Sequence, residues 1–150
     1  MWGLFKLLCQ PNIERKEPVT LEYALNQLKY NLAPGTLVFL ITDLEAIINV
    51  NADIFAGIKA KSELILLPVV DPIDSDLPAV NNITCVDNAG SKINVGAVST
   101  AVRKKYHKLW ETQQVQLGNI IKKYKLKLIT LNTNQAVYRS LNYGLQHSRY

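Results

Sequence analysis

Two continuous apolar runs, 37-LVFLI-41 and 64-LILLPVV-70, each give way to an acid, Asp43 after Thr42 in one case and Asp71 in the other. Strands buried on both faces read as unbroken apolar runs, which is the mark of parallel sheets covered by helices. A chain carrying two such runs with helical patterns between them is therefore expected to fold as α/β. Pro68 inside the second run argues for an edge position or a bulge.

The segments around these runs complete the alternation. Residues 20-TLEYALNQLKYNL-32 repeat apolar side chains three or four apart, with Thr20 as N-cap. Ala33-Pro34-Gly35 ends that helix. Residues 51–61 predict a short helix capped by Asn51 or Asp53. Residues 71–80 predict a loop, and 82–95 a β-hairpin around Asn88-Ala89-Gly90. The longest periodic segment runs from Val98 to Tyr124, capped by Ser99 or Thr100 and weakened late by Gly118. A third strand, 126–131, and a helix, 134–146, close the chain. The expected architecture is one domain over 1–150: a three-layer, Rossmann-like partial parallel sheet flanked by helices, with an inserted hairpin. At 150 residues the chain is long enough to bury a core of its own.

The opening 1-MWGLFKLLCQ-10 is apolar but carries Lys6 and precedes Pro11 and a charged stretch. It is too short to span a bilayer and lacks a signal-peptide cleavage pattern. It reads as the core of an N-terminal docking segment, 1–17, or as a weak membrane-surface contact, of a cytoplasmic protein with no transmembrane segment. Cys9 and Cys85 stand far apart without a CxxC, which suggests a reducing compartment and no structural zinc.

Charge is divided along the chain. Residues 1–100 hold 7 Lys or Arg against 11 Asp or Glu, and residues 101–150 hold 10 against Glu111 alone. The two parts carry net −4 and +9, which favours an acidic partner for the C-terminal part. Arg103, Lys104, Lys105, Lys108, Lys122 and Lys123 are the candidate partner-binding residues, joined by Lys125 and Lys127. Nucleic acid is the second choice of partner, since no RNA-binding motif accompanies the lysines.

Candidate chemistry is sparse. Asp43 has two readings, a helix cap or a ligand at the end of a strand. Asp71, Asp74 and Asp76 lack the glycine and terminal glutamate of an EF-hand and read as a solvated loop. His107 and His147 lie on different helices with no nucleophile beside them. No GxGxxG, GxxxxGK, Ser/His/Asp or paired-carboxylate pattern occurs, so the chain reads as a non-enzyme. A Rossmann-like enzyme fragment, with a pocket beside Asp43 and Asp71, is the third reading.

The order LVFLITD, helix, LILLPVVDP, DLP, hairpin and long basic helix resembles the C-terminal half of an uncharacterised bacterial family, the MoxR-associated proteins with a von Willebrand factor type A-like domain. The similarity covers about residues 18–147 and is most specific at Ile41-Thr42-Asp43 and at Asp71-Pro72 with Leu77-Pro78. The resemblance implies a protein-interaction or adaptor role beside a MoxR-type AAA+ ATPase, in assembly or activation of other proteins. It also implies a cation site in which Asp43 is the third element and Thr20 the second. The first element, Asp-x-Ser-x-Ser, is absent. Mg²⁺ would then bind only if another segment or chain supplied the missing ligands. In the full domain the strand at 37–42 has a neighbour that is missing here, so a homodimer through that exposed strand is expected.

Overall fold

The computed structural model describes residues 19–78, 83–86, 92–95 and 99–147; the docking segment 1–17 and the turn at 88–90 lie outside them. Helix α1, Leu21–Asn31, starts where the Thr20 hydroxyl accepts the Tyr23 N–H at 3.2 Å. Gly35, at φ +80°, turns the chain into strand β1, Thr36–Asp43. Only a residue without Cβ takes that φ at no cost. The Asp43 carboxylate then accepts the Ala46 N–H at 2.6 Å and opens α2, Leu44–Asn49.

Helix α3, Asp53–Lys59, has no side-chain cap from Ala52; Asn51, one of the two expected caps, instead accepts the Asp53 N–H at 3.1 Å. Strand β2, Ser62–Val70, leads to a four-residue helix α4, Pro72–Ser75, where a loop was expected. Its start is a capping box: Asp71 accepts the Ile73 N–H while Asp74 accepts the Asp71 N–H. Strands β3, Ile83–Val86, and β4, Lys92–Val95, pair antiparallel as a separate two-stranded sheet, which is the expected hairpin.

Helix α5, Thr100–Tyr124, is capped by Ser99 and runs unbroken through Gly118. It ends on Lys125 in the left-handed region, φ 49°. The Lys59 ammonium donates to the carbonyls of Tyr124 and Lys125 there, placing a cation on the negative end of the helix. Strands β5, Lys127–Leu128, and β6, Leu131–Asn132, and helix α6, Val137–His147, finish the chain.

The sheet is parallel, in the order β1-β2-β5, with β6 also on β2. Strand β2 is thus central, and the expected edge position or bulge at Pro68 is corrected. Ile129 N–H donates to Leu66 O at 2.9 Å and Thr133 N–H to Val70 O at 3.0 Å. Even-numbered residues of β2 therefore turn their backbone groups toward β5 and β6. The position where Pro68 lacks an N–H faces residues 129–130, where the third strand is interrupted. The break sits in the neighbour, so a proline fits a central strand.

Helices cover both faces of this open sheet, giving the three-layer Rossmann-like α/β arrangement. The main core joins Val38, Leu64 and Leu66 of the sheet to Leu25 of α1, Ile47 of α2, Phe55 and Ile58 of α3 and Leu117 of α5. The opposite face holds a small cluster, Ile65, Leu67, Ile129 and Leu131, with Leu141 of α6 against it. Helix α6 comes so close that a Cβ on Gly144 would stand 2.6 Å from Ile129 Cγ2. Gly144→Ala should cost about 1–3 kcal/mol, the usual range for overpacking, measured by urea denaturation.

Candidate functional site

Ligands of open α/β sheets gather at the carboxyl ends of the strands, and there the two acids of the apolar runs stand. A cleft of about 280 Å³ opens beside them, lined by Asp43, Glu45 and Asp74 on one side and by Tyr106 and Trp110 of α5 on another. Each acid at a strand end already holds a helix. Asp43 caps α2. Asp71 caps α4 and accepts a second hydrogen bond from the Thr133 hydroxyl at 2.5 Å.

The Thr133 hydroxyl, and after it the Ile73 N–H, hold the Asp71 carboxyl below the ordinary aspartate value. A carboxyl with a depressed folded-state pKa contributes stability above its unfolded pKa. That contribution is lost as the pH falls through the folded value. Thr133→Val should raise the Asp71 pKa toward the ordinary range and lower stability at neutral pH, with the difference from the native chain shrinking as the pH falls below the ordinary aspartate value; carboxyl NMR titration and urea denaturation against pH check it.

Thr20 and Asp43, the two expected cation ligands, are both N-caps, but of different helices. Thr20 lines a second cavity with Ala46, Asn49 and Val50 rather than the cleft at Asp43. Mg²⁺ asks for near-octahedral oxygen coordination. Two oxygens already engaged by the Tyr23 and Ala46 N–H groups, in separate cavities, do not fit that demand. Among the described residues no group of three or more His, Cys, Asp or Glu is placed to hold a metal ion.

The basic residues do not form one patch. Arg103 is engaged by Asp76 at 2.9 Å. Lys123 lies 3.8 Å from Asp53 and 4.7 Å from the centre of the Tyr124 ring. Lys104, Lys105, Lys108 and Lys122 are exposed. At 1.5 Å per residue, Lys108 and Lys122 are about 21 Å apart along α5. Lys104, Lys105 and Lys108 form one exposed group, near the positive end of the helix where cations are unfavourable for the fold, and Lys122 and Lys125 are exposed at the other end.

The most unusual surface is β1. It pairs on one side only, with β2, and no strand lies along its other edge among the described residues. On the face opposite the main core Leu37, Phe39 and Ile41 are 49%, 45% and 62% exposed. An unpaired edge next to an apolar strip is what native sheets ordinarily cover or charge.

Among known families, the profile described as "Protein of unknown function DUF58" matches residues 6–116. The chain belongs to the DUF58 family. No curated protein matches it. A solved structure described as conserved hypothetical protein BatB from Bacteroides thetaiotaomicron is 15% identical, with a TM-score of 0.48. The similarity covers 98% of this chain and 66% of that one, so the present chain spans just under two thirds of BatB. The DUF58 match takes in β1, β2, Asp43, Asp71 and the group at Lys104, Lys105 and Lys108. It stops before Lys122, Lys123 and the strands and helix that follow.

Several partners in this DUF58 chain carried no signal in the sequence. Thr133 meets Asp71 across 62 residues, and the Tyr124 hydroxyl donates to Asp53 at 2.6 Å across 71. His107 is exposed, holds the Ser75 carbonyl at 2.9 Å and stacks on Trp110. No described helix is long and apolar enough to cross a membrane.

Proposed function

We propose that this DUF58 chain is a non-catalytic protein-interaction module that meets its partner along β1. The single observation that carries the reading is the open β1 edge with Leu37, Phe39 and Ile41 exposed beside it. Strand addition to such an edge gains main-chain hydrogen bonds, and alternate side chains give specificity. A second copy is the simplest partner. Two β1 strands paired antiparallel about a twofold axis would set Phe39 opposite its counterpart and Leu37 opposite Ile41. Aromatic and branched pairs of this kind stabilise neighbouring strands.

The resemblance to von Willebrand factor A-like proteins extends the proposal to an adaptor acting with a MoxR-type AAA+ ATPase. In that setting Lys104, Lys105 and Lys108 would steer an acidic partner surface. Asp43 would join a Mg²⁺ site only with ligands from another segment or chain. Sedimentation velocity of the intact chain, alone and mixed with a MoxR-type ATPase, tests the reading. Sedimentation that rises with concentration, or co-sedimentation with the ATPase, is expected. A concentration-independent monomer in both settings would overturn it.

A further inference from the structure

Away from β1, two hollows meet on helix α5. The cleft at the strand ends and a mostly apolar groove of about 460 Å³ share Tyr106 and Leu109, which form the ridge between them. Val102, Tyr106, Leu109 and Gln113 follow one another at four-, three- and four-residue steps and so make one row along the helix. Val102 and Leu109 in that row are 43% and 58% exposed. From Val102 to Gln113 the row is about 17 Å long, the length of about three turns of a second helix.

The two flanks of the row differ in charge. Lys105 and Lys108 line the groove, while Asp43, Glu45 and Asp74 line the cleft, where Trp110 adds an aromatic wall. Among the described residues no carboxylate pairs with Lys105 or Lys108, whereas Arg103 and Lys123 have Asp76 and Asp53. Nucleic acid would leave the exposed valine and leucine unused, and its phosphates would be repelled by the acidic cleft.

We propose that this row seats an amphipathic helix of a partner protein, with apolar side chains on either side of the ridge of Tyr106 and Leu109, carboxylates toward Lys105 and Lys108, and a lysine or arginine toward the cleft. Recognition of a helix in a groove works through apolar anchors at such spacings. The opposed charges on the rim fix which way the helix lies, because reversing it sets like charges together on both flanks. A guanidinium suits the cleft, since carboxylates and an aromatic wall both attract it. The acidic flank of the partner rests on the steering role proposed for Lys105 and Lys108; the row shares no residue with the β1 edge.

Synthetic peptides of about fifteen residues, stapled to hold the helix, test the proposal. They carry one leucine row with a basic and an acidic flank, with both flanks acidic, or with both basic. Fluorescence anisotropy with the intact chain should show the mixed peptide binding about tenfold more tightly than either of the others. Leu109→Asp, at an exposed position, should weaken that binding about tenfold or more. Lys105→Glu with Lys108→Glu makes both flanks of the row acidic and should shift the preference to the peptide with two basic flanks. Any other order among the native chain's affinities, equality included, would overturn the proposal, as would binding indifferent to Leu109→Asp. Duplex DNA that displaces the mixed peptide and still binds the Leu109→Asp chain would assign the lysines to nucleic acid, and loss of self-association in that chain would assign the row to a second copy; either result overturns it. The chain with Phe39→Lys and Ile41→Lys should bind the mixed peptide as the native chain does, so failure of the β1 reading leaves this one standing.

Discussion

Phe39→Lys combined with Ile41→Lys is expected to weaken association of the chain about 30- to 1000-fold, a loss of roughly 2–4 kcal/mol typical of interface hot spots. Both side chains are largely exposed, so the fold itself should change by less than about 1 kcal/mol. The asymmetry between the two effects is what separates a contact surface from a structural strand. Lysine on an edge strand is the device by which sheets prevent edge-to-edge pairing, because its charge cannot be desolvated between two strands. Sedimentation velocity reads the association and urea denaturation the stability. Equal losses in both would mean that the strip supports the fold rather than a partner.

Phe55→Ala should have the opposite profile, with a loss of about 3–5 kcal/mol of stability. Phe55 is fully buried in the main core with Ile47, Ile58 and Leu66. Truncation removes its transfer free energy and leaves a cavity that α3 cannot close, since that helix is held at its C-terminal end by the Lys59 bond to the end of α5. Against a total of about 5–15 kcal/mol, such a loss is a large part of the stability. Denaturant unfolding should show a lower midpoint with an unchanged slope.

Phe39, Ile41 and Phe55 also mark what the sequence makes legible. Phe55 falls on the apolar period of a short helix, and β1 and β2 are unbroken apolar runs, so core and parallel strands follow from pattern alone. The cap at Asp43 was one of two readings, and a hydrogen bond to Ala46 decides how the carboxylate is used here. Pro68 misleads because the rule for proline concerns the neighbour that would need its N–H, and only the folded sheet places the interruption at 129–130 opposite it. The third strand reads as one apolar segment, 126–131, yet pairs as two short pieces around that interruption. Tertiary pairs such as Thr133 with Asp71, or Arg103 with Asp76, join residues 62 and 27 positions apart and leave no local trace. For the same reason the basic segment reads as one patch in sequence, while the fold engages Arg103 and Lys123 and separates what remains.

The most direct measurement is hydrogen exchange across residues 37–42 of the intact chain as a function of its concentration and of added partner. The outward-facing amides of β1 should exchange quickly in dilute chain and slow by about tenfold or more when a strand pairs with the edge. Exchange along β1 that stays the same at every concentration, and with every partner tried, would contradict an interaction module built on this strand.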